Sequence, residues 1–217
     1  MRGYLTFVIV FAACLLILSL AQFNVTSKYS NMGRSIWVES YYQHEMNVKE
    51  AIFEAAREGA VEGIINYARE YVTTCVASRP EAPSPPNIDC LKIRINEKAV
   101  DKIKALDNQR LDGALIKVLI RSDYEPLIQQ KCMTPCPQSQ TLINYNYVVL
   151  ADGIDLNEFD DFINSYKTSS SSLNQFEKIA GIVPRFYLTD GVIIVTISRQ
   201  GFEDLVFQIP QKVVEMT

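Results

Sequence analysis

The chain contains one histidine and one tryptophan, and it lacks both a long basic run and a phosphate loop of the Gly-x4-Gly-Lys kind. The lone His44 precedes Glu45 as in a zinc-protease helix, but Val48 stands where the second histidine belongs, so that motif fails. No Gly-x-Ser-x-Gly elbow offers a nucleophile, and no pair of carboxylates is singled out for sugar chemistry. The expectation is therefore a protein that is not an enzyme and takes no cofactor. A net charge of −4 removes nucleic acid from the expected partners, because a phosphate backbone gains little from such a surface. Nine glycines and nine prolines in 217 residues exclude collagen-like or low-complexity material, and five cysteines are too few for a disulfide-dense miniprotein. An apolar content of 48% excludes intrinsic disorder and is enough for one cored domain and something more.

What is present begins with an apolar run. Leu5 to Ala21 reads LTFVIVFAACLLILSLA, interrupted only by Thr6 and Ser19. As a helix it spans about 26 Å, close to the hydrocarbon thickness of a bilayer. Tyr4 and Phe23 flank it, and Arg2 with the amino terminus supplies the only positive charge on the near side, which sets that side as cytoplasmic. Residues 1–23 are expected to be a retained transmembrane anchor in the cell membrane, with lipid as a partner and the C-terminal domain extracytoplasmic. Ser19-Leu20-Ala21 before Gln22 keeps a cleaved secretory signal as the alternative, and it leads to the same side of the membrane.

Residues 24–78 are expected to form a long amphipathic helix. Its strongest part runs from Glu39 to Tyr71, where Val48, Ile52, Ala55, Ile64, Ile65, Ala68 and, just beyond, Val72 make an apolar stripe without a proline. Ala51, Ala55, Gly59 and Gly63 recur every four residues as a ridge of small side chains. Glycine costs about 1 kcal/mol relative to alanine inside a helix, so this ridge predicts close packing, against the domain's own sheet or against another copy. One residue earlier, Glu50, Glu54, Glu58 and Glu62 form an acidic ridge. It is either a solvated face or the counterpart of a basic surface, for which the stretch from Leu91 to Lys131 is the internal candidate.

Residues 79–217 read as a small mixed domain. Pro80, Pro83, Pro85 and Pro86 end the helix. The pattern predicts a strand over Leu91–Ile95, a helix capped by Asn96, and a second helix over Leu111–Ile120. A strand over Thr141–Leu150 follows, then a helix with a capping box at Asp155 and Glu158, and another short helix ending at Gly181. Phe186–Leu188 and Val192–Ser198 flank Thr189-Asp190-Gly191 as a hairpin, and Leu205–Ile209 is a last strand. The fold class is α+β: an N-terminal transmembrane helix continuing into the amphipathic helix, then a mainly antiparallel sheet packed on that helix. The acidic stretch from Asp152 to Asp161 fails as a calcium loop because Asn157 stands where the glycine belongs.

Cys14 lies in the apolar run, whereas Cys75, Cys90, Cys132 and Cys136 all fall beyond it. An even number there suits disulfides in an oxidising compartment. Of the three possible pairings, Cys75 with Cys90 and Cys132 with Cys136 is favoured by spacing; a zinc site is disfavoured because neither pair has the two-residue gap of a zinc knuckle. Asn24-Val25-Thr26 fits a glycosylation acceptor.

Met1-Arg2-Gly3, the apolar helix, the amphipathic helix and the late β region together resemble a type IV pilin or an archaeal pilin-like protein. The resemblance covers about the first 70 residues. It implies cleavage after Gly3, leaving Tyr4 first, and packing of the apolar helices in a filament core; Val8 stands where that family usually has glutamate. The leading expectation is a single-pass, structural or interaction-type protein, such as a pilin-like or envelope-assembly subunit, with protein partners or self-association. An extracytoplasmic ligand-binding or sensor domain is the alternative, as is a secreted protein.

Overall fold

The protein is described by a computed structural model over residues 39–77, 85–111, 113–124, 135–136, 145–168, 175–201 and 203–216. The chain divides into two units, Met1–Met46 and Asn47–Thr217. In the first, residues 39–46 are helical, and the expected anchor Leu5–Ala21 lies outside the described residues. Among the described residues no helix is long and apolar enough to cross a membrane.

The second unit opens with α1, residues 47–71. Val48, Ile52, Ala56, Ala60, Ile64, Tyr67 and Tyr71 recur along it at helical spacing and are all buried. Its end widens into a π turn, Val72–Val76, closed by a 3.1 Å bond from Ala77 N to Val72 O. Helix α2, Ile88–Lys104, is capped by Asn87, whose Oδ1 accepts from Cys90 N at 3.2 Å. This corrects the expected strand at Leu91–Ile95 and the expected cap at Asn96. Leu91, Ile93 and Ile95 alternate like a strand because α2 is buried on more than one side, and Asn96 sits in its interior.

Helices α1 and α2 cross at backbone contact. A Cβ on Gly59 would lie 2.4 Å from Ala99 Cα, and one on Gly63 would lie 2.7 Å from Ile95 Cα. The small ridge is thus filled by a second helix of the same unit, neither by the sheet nor by a copy of the chain; Ala55 is buried and Ala51 half-buried along it.

Strands β1, Arg110–Leu111, and β2, Ala114–Ile120, replace the helix expected over Leu111–Ile120. Ala114, Ile116, Val118 and Ile120 turn inward while Lys117 and Leu119 turn out, a period of two that decides for strand. Then come β3 (Val149–Asp152), α3 (Leu156–Thr168), α4 (Gln175–Ile182), β4 (Arg185–Leu188), β5 (Ile193–Ser198), β6 (Leu205–Gln208) and β7 (Lys212–Glu215). Asp155 caps α3 as expected, its Oδ1 accepting from Asn157 N at 2.8 Å and Glu158 N at 3.3 Å, but the return half of the capping box is replaced: Asp155 N donates to Ile182 O at 2.9 Å.

Two antiparallel sheets result, in the orders β1-β2-β5-β6 and β3-β4-β7. The expected hairpin between β4 and β5 is not one, since each strand belongs to a different sheet. Thr189-Asp190-Gly191 is a corner at which the chain passes between sheets, and Ile209-Pro210-Gln211 is the matching corner between β6 and β7. Leu188 faces Lys212 and Ile194 faces Gln208, so the first corner takes six steps where the second takes four. Gly191 accommodates the excess at φ +64° and donates to Ile209 O at 3.1 Å, while Gln211 N donates to Asp190 Oδ1 at 3.2 Å. Helix α1 clasps this corner through two cation–π contacts, Lys212 Nζ 3.8 Å from the Phe53 ring centre and Lys49 Nζ 5.4 Å from that of Phe207.

Gly59→Ala separates crossing from propensity. Helix propensity alone predicts about 1 kcal/mol of stabilisation. Because backbone must move to admit the methyl group, the expected outcome in urea unfolding is instead a loss of about 1–3 kcal/mol.

Candidate functional site

Of the residues selected from sequence, Cys75 and Cys136 meet at the end of α1, Gly59 and Gly63 meet α2 partway along it, and Leu5, Ala21 and Cys132 lie outside the described residues. Cys75, at the close of the π turn, is bonded to Cys136 with a Cα–Cα distance of 5.6 Å. This overturns the favoured pairing of Cys75 with Cys90 and of Cys132 with Cys136. Cys90 is also disulfide-bonded, and Cys132 lies outside the described residues. Short-loop preference misled the pairing: closing a longer loop removes more denatured-chain entropy, about 4 kcal/mol for the 61-residue separation here against about 3 for a 15-residue loop.

Around this bond the backbone is tied by polar groups. The Tyr67 hydroxyl lies 2.9 Å from Asn87 O and 3.0 Å from Pro135 O, and Asn87 N donates to Pro135 O at 3.1 Å. Burial pushes the Tyr67 phenol far above its ordinary value, so it stays a neutral donor. Tyr67 and Tyr71 stack nearby, and Phe159 packs at an angle to both, centred 5.7 Å from Tyr67 and 5.8 Å from Tyr71, which seats α3 on the end of α1.

On the far side of α2, Asn96 has 0% exposure and is the buried polar residue among those described. Its Oδ1 accepts from Val148 N at 2.9 Å and Val149 N at 2.8 Å, and its Nδ2 donates to Tyr145 Oη at 3.2 Å. Burial raises the Tyr145 phenol to about 12. Asn96 therefore satisfies the start of β3 from within a helix, a structural role rather than a catalytic one.

The acidic ridge divides. Glu62 lies 3.3 Å from both Lys98 Nζ and Lys102 Nζ on α2, so this part meets the basic surface proposed for it. Glu54 pairs locally with Arg57, while Glu50 and Glu58 are exposed. Arg94 of α2 is held between Glu70 and Glu97, each at 3.0 Å. Among the described residues no group of three or more His, Cys, Asp or Glu side chains could hold a metal ion. Asp152 is engaged on the sheet surface, where Arg185 Nε donates to it at 2.9 Å.

These features define a disulfide-bonded α+β unit of two antiparallel sheets with a buried helix. Comparison with protein-family models, curated proteins and solved structures finds no match. Sequence reasoning does not reveal Tyr67, Pro135 or the interior role of Asn96; the signal for Asn96 is a lone amide between Ile95 and the apolar Ala99-Val100 pair.

Asn96→Leu strands two buried N–H groups, and the expected loss is about 2–4 kcal/mol in urea unfolding; a loss within about 0.5 kcal/mol contradicts this role for Asn96. Burial opposes ionisation of Glu62, but Lys98 and Lys102 outweigh it and hold its carboxyl below the ordinary 4.5. That stabilisation is full above the ordinary value and fades as pH falls through the depressed one. Glu62→Gln should flatten the acid limb of a stability-versus-pH series, and an unchanged limb would show that the pairs contribute nothing.

Proposed function

We propose that the chain is a membrane-anchored, extracytoplasmic protein of interaction type, with a disulfide-locked α+β head that works through protein contacts. The observation that carries this reading is the Cys75–Cys136 bond, joined by the disulfide-bonded state of Cys90. Oxidised cysteines of this kind belong to exported compartments, where thiols are not kept reduced. The apolar Leu5–Ala21 run supports the anchor, and its single flanking arginine supports a cytoplasmic amino end. The pilin-like or envelope-assembly version of this reading takes the mature chain to begin at Tyr4. Its contacts between copies then use a surface other than the Gly59–Gly63 ridge, which α2 fills.

The test is the intact mass of the protein from its native cells, taken after separating membrane from soluble fractions, with and without reductant. The expected result is a membrane-fraction species beginning at Met1 or Tyr4 that gains about four hydrogens on reduction, two for each of two disulfides. A soluble cytosolic species with free thiols contradicts the reading; a species beginning at Gln22 moves it to a secreted protein.

A further inference from the structure

The sheet edges are treated unequally. At β3, Val148 N and Val149 N both donate to Asn96, so α2 covers that edge. Strand β1 is two residues long. The edge formed by β6 and β7 runs along both sheets. The bond from Ile209 N to Ile193 O sets the phase of the ladder: Leu205 and Phe207 turn their backbone groups to β5, and Val206 and Gln208 turn theirs outward. Among the described residues nothing pairs with these outward groups. Likewise, the bond from Met216 N to Pro184 O turns Val213 and Glu215 outward on β7. Strand β7 is guarded by the charges of Lys212 and Glu215 and is separated from β6 by Pro210, the usual protections of an edge. Strand β6 carries no charge of its own, because none stands between Asp204 and Lys212, and Pro210 bounds only its far end.

We propose that β6 docks against β6 of a second copy of this chain, antiparallel, about a twofold axis at Val206. An isologous pair must set outward residue against outward residue, which leaves three registers. Facing Gln208 with Gln208 brings Val206 onto Pro210, which has no N–H. Facing Val206 with Gln208 sets an apolar side chain against a polar one and again ends on Pro210. Facing Val206 with Val206 pairs every outward group of β6 and brings Gln208 to Asp204 of the other copy. It also extends an existing apolar strip. Val206 is 60% exposed, Ile194 lies diagonal to it on the same face, and Leu119, also 60% exposed, lies directly opposite Ile194. The antiparallel direction sends the acidic start of one β6, Glu203 and Asp204, toward the Lys212 end of the other. A four-residue edge is smaller than the interface of a stable free dimer. Confinement of anchored chains to one membrane raises the effective concentration enough for such a contact to fill; that part rests on the membrane reading, whereas the strand pairing does not.

The experiment uses the full chain in lipid vesicles and a short bifunctional thiol reagent, with the unsubstituted chain as background. In the stated register the two Val206 Cα atoms stand about 5.5 Å apart. Val206→Cys should cross-link to itself, whereas Leu119→Cys and Val213→Cys, at exposed positions off the axis, should stay at background. Val206→Pro removes only an outward N–H, so β5 pairing and the melting temperature should persist while self-association weakens roughly tenfold or more. Equal cross-linking at all three positions, a monomeric unsubstituted chain, or association indifferent to Val206→Pro overturns the proposal. So does protection of the Val206 and Gln208 amides from exchange by a different protein without self-association. These outcomes leave the thiol and fractionation results untouched, so the two readings fail separately.

Discussion

The approach of α1 and α2 at Gly59 and Gly63 is the constraint from which the rest of the unit is arranged. No side chain separates the two backbones there. The contact fixes how far α2 lies from α1, and thereby where Asn96 on α2 can reach. Asn96 holds the start of β3, and β3 positions β4 and the second sheet. From its own flank α1 reaches the β6–β7 corner through Phe53 and Lys49. A helix propensity penalty of about 1 kcal/mol per glycine is offset by the packing that only a missing Cβ permits.

Polar groups set the geometry of this core more than they stabilise it. The paired charges along the α1–α2 seam are partly exposed and contribute little each, but Glu62 with two lysines and Arg94 with two glutamates fix the rotation of one helix against the other. At the end of the seam Tyr67 gathers Asn87 and Pro135, and the Cys75–Cys136 bond closes the same junction covalently. Thus the junction of α1, α2 and the 135–136 segment is held both by hydrogen bonds and by a covalent bond.

The long helix was legible because its periodicity spans many turns, and the α3 cap was legible because Asp155 acts within its own neighbourhood. The errors fall where tertiary context decides. Leu91, Ile93 and Ile95 alternate as in a strand, yet a helix covered by α1 on one side and β3 on another can be apolar at all three. Ala114 to Ile120 has good helix formers in a pattern of period two, and the period won. Between β4 and β5 the turn residues Asp190-Gly191 suggest a hairpin, but β4 and β5 belong to different sheets, because which sheet the next strand joins depends on β6 and β7. The cysteine pairing failed for a similar reason: closeness along the chain was taken for closeness in space. The small-residue ridge was visible in sequence, and its partner was not: Ala99, which Gly59 meets, lies on another helix 40 residues further along the chain.

The account places the α1–α2 crossing at the least yielding part of the molecule, and native-state hydrogen exchange on the oxidised protein examines that directly. It predicts that the amides of residues 60–68 in α1 and 93–100 in α2 exchange only through global unfolding, at the full unfolding free energy. Exchange of those amides at a lower free energy than the amides of β5 would contradict it, because the crossing would then open while the sheets it is held to organise remained intact.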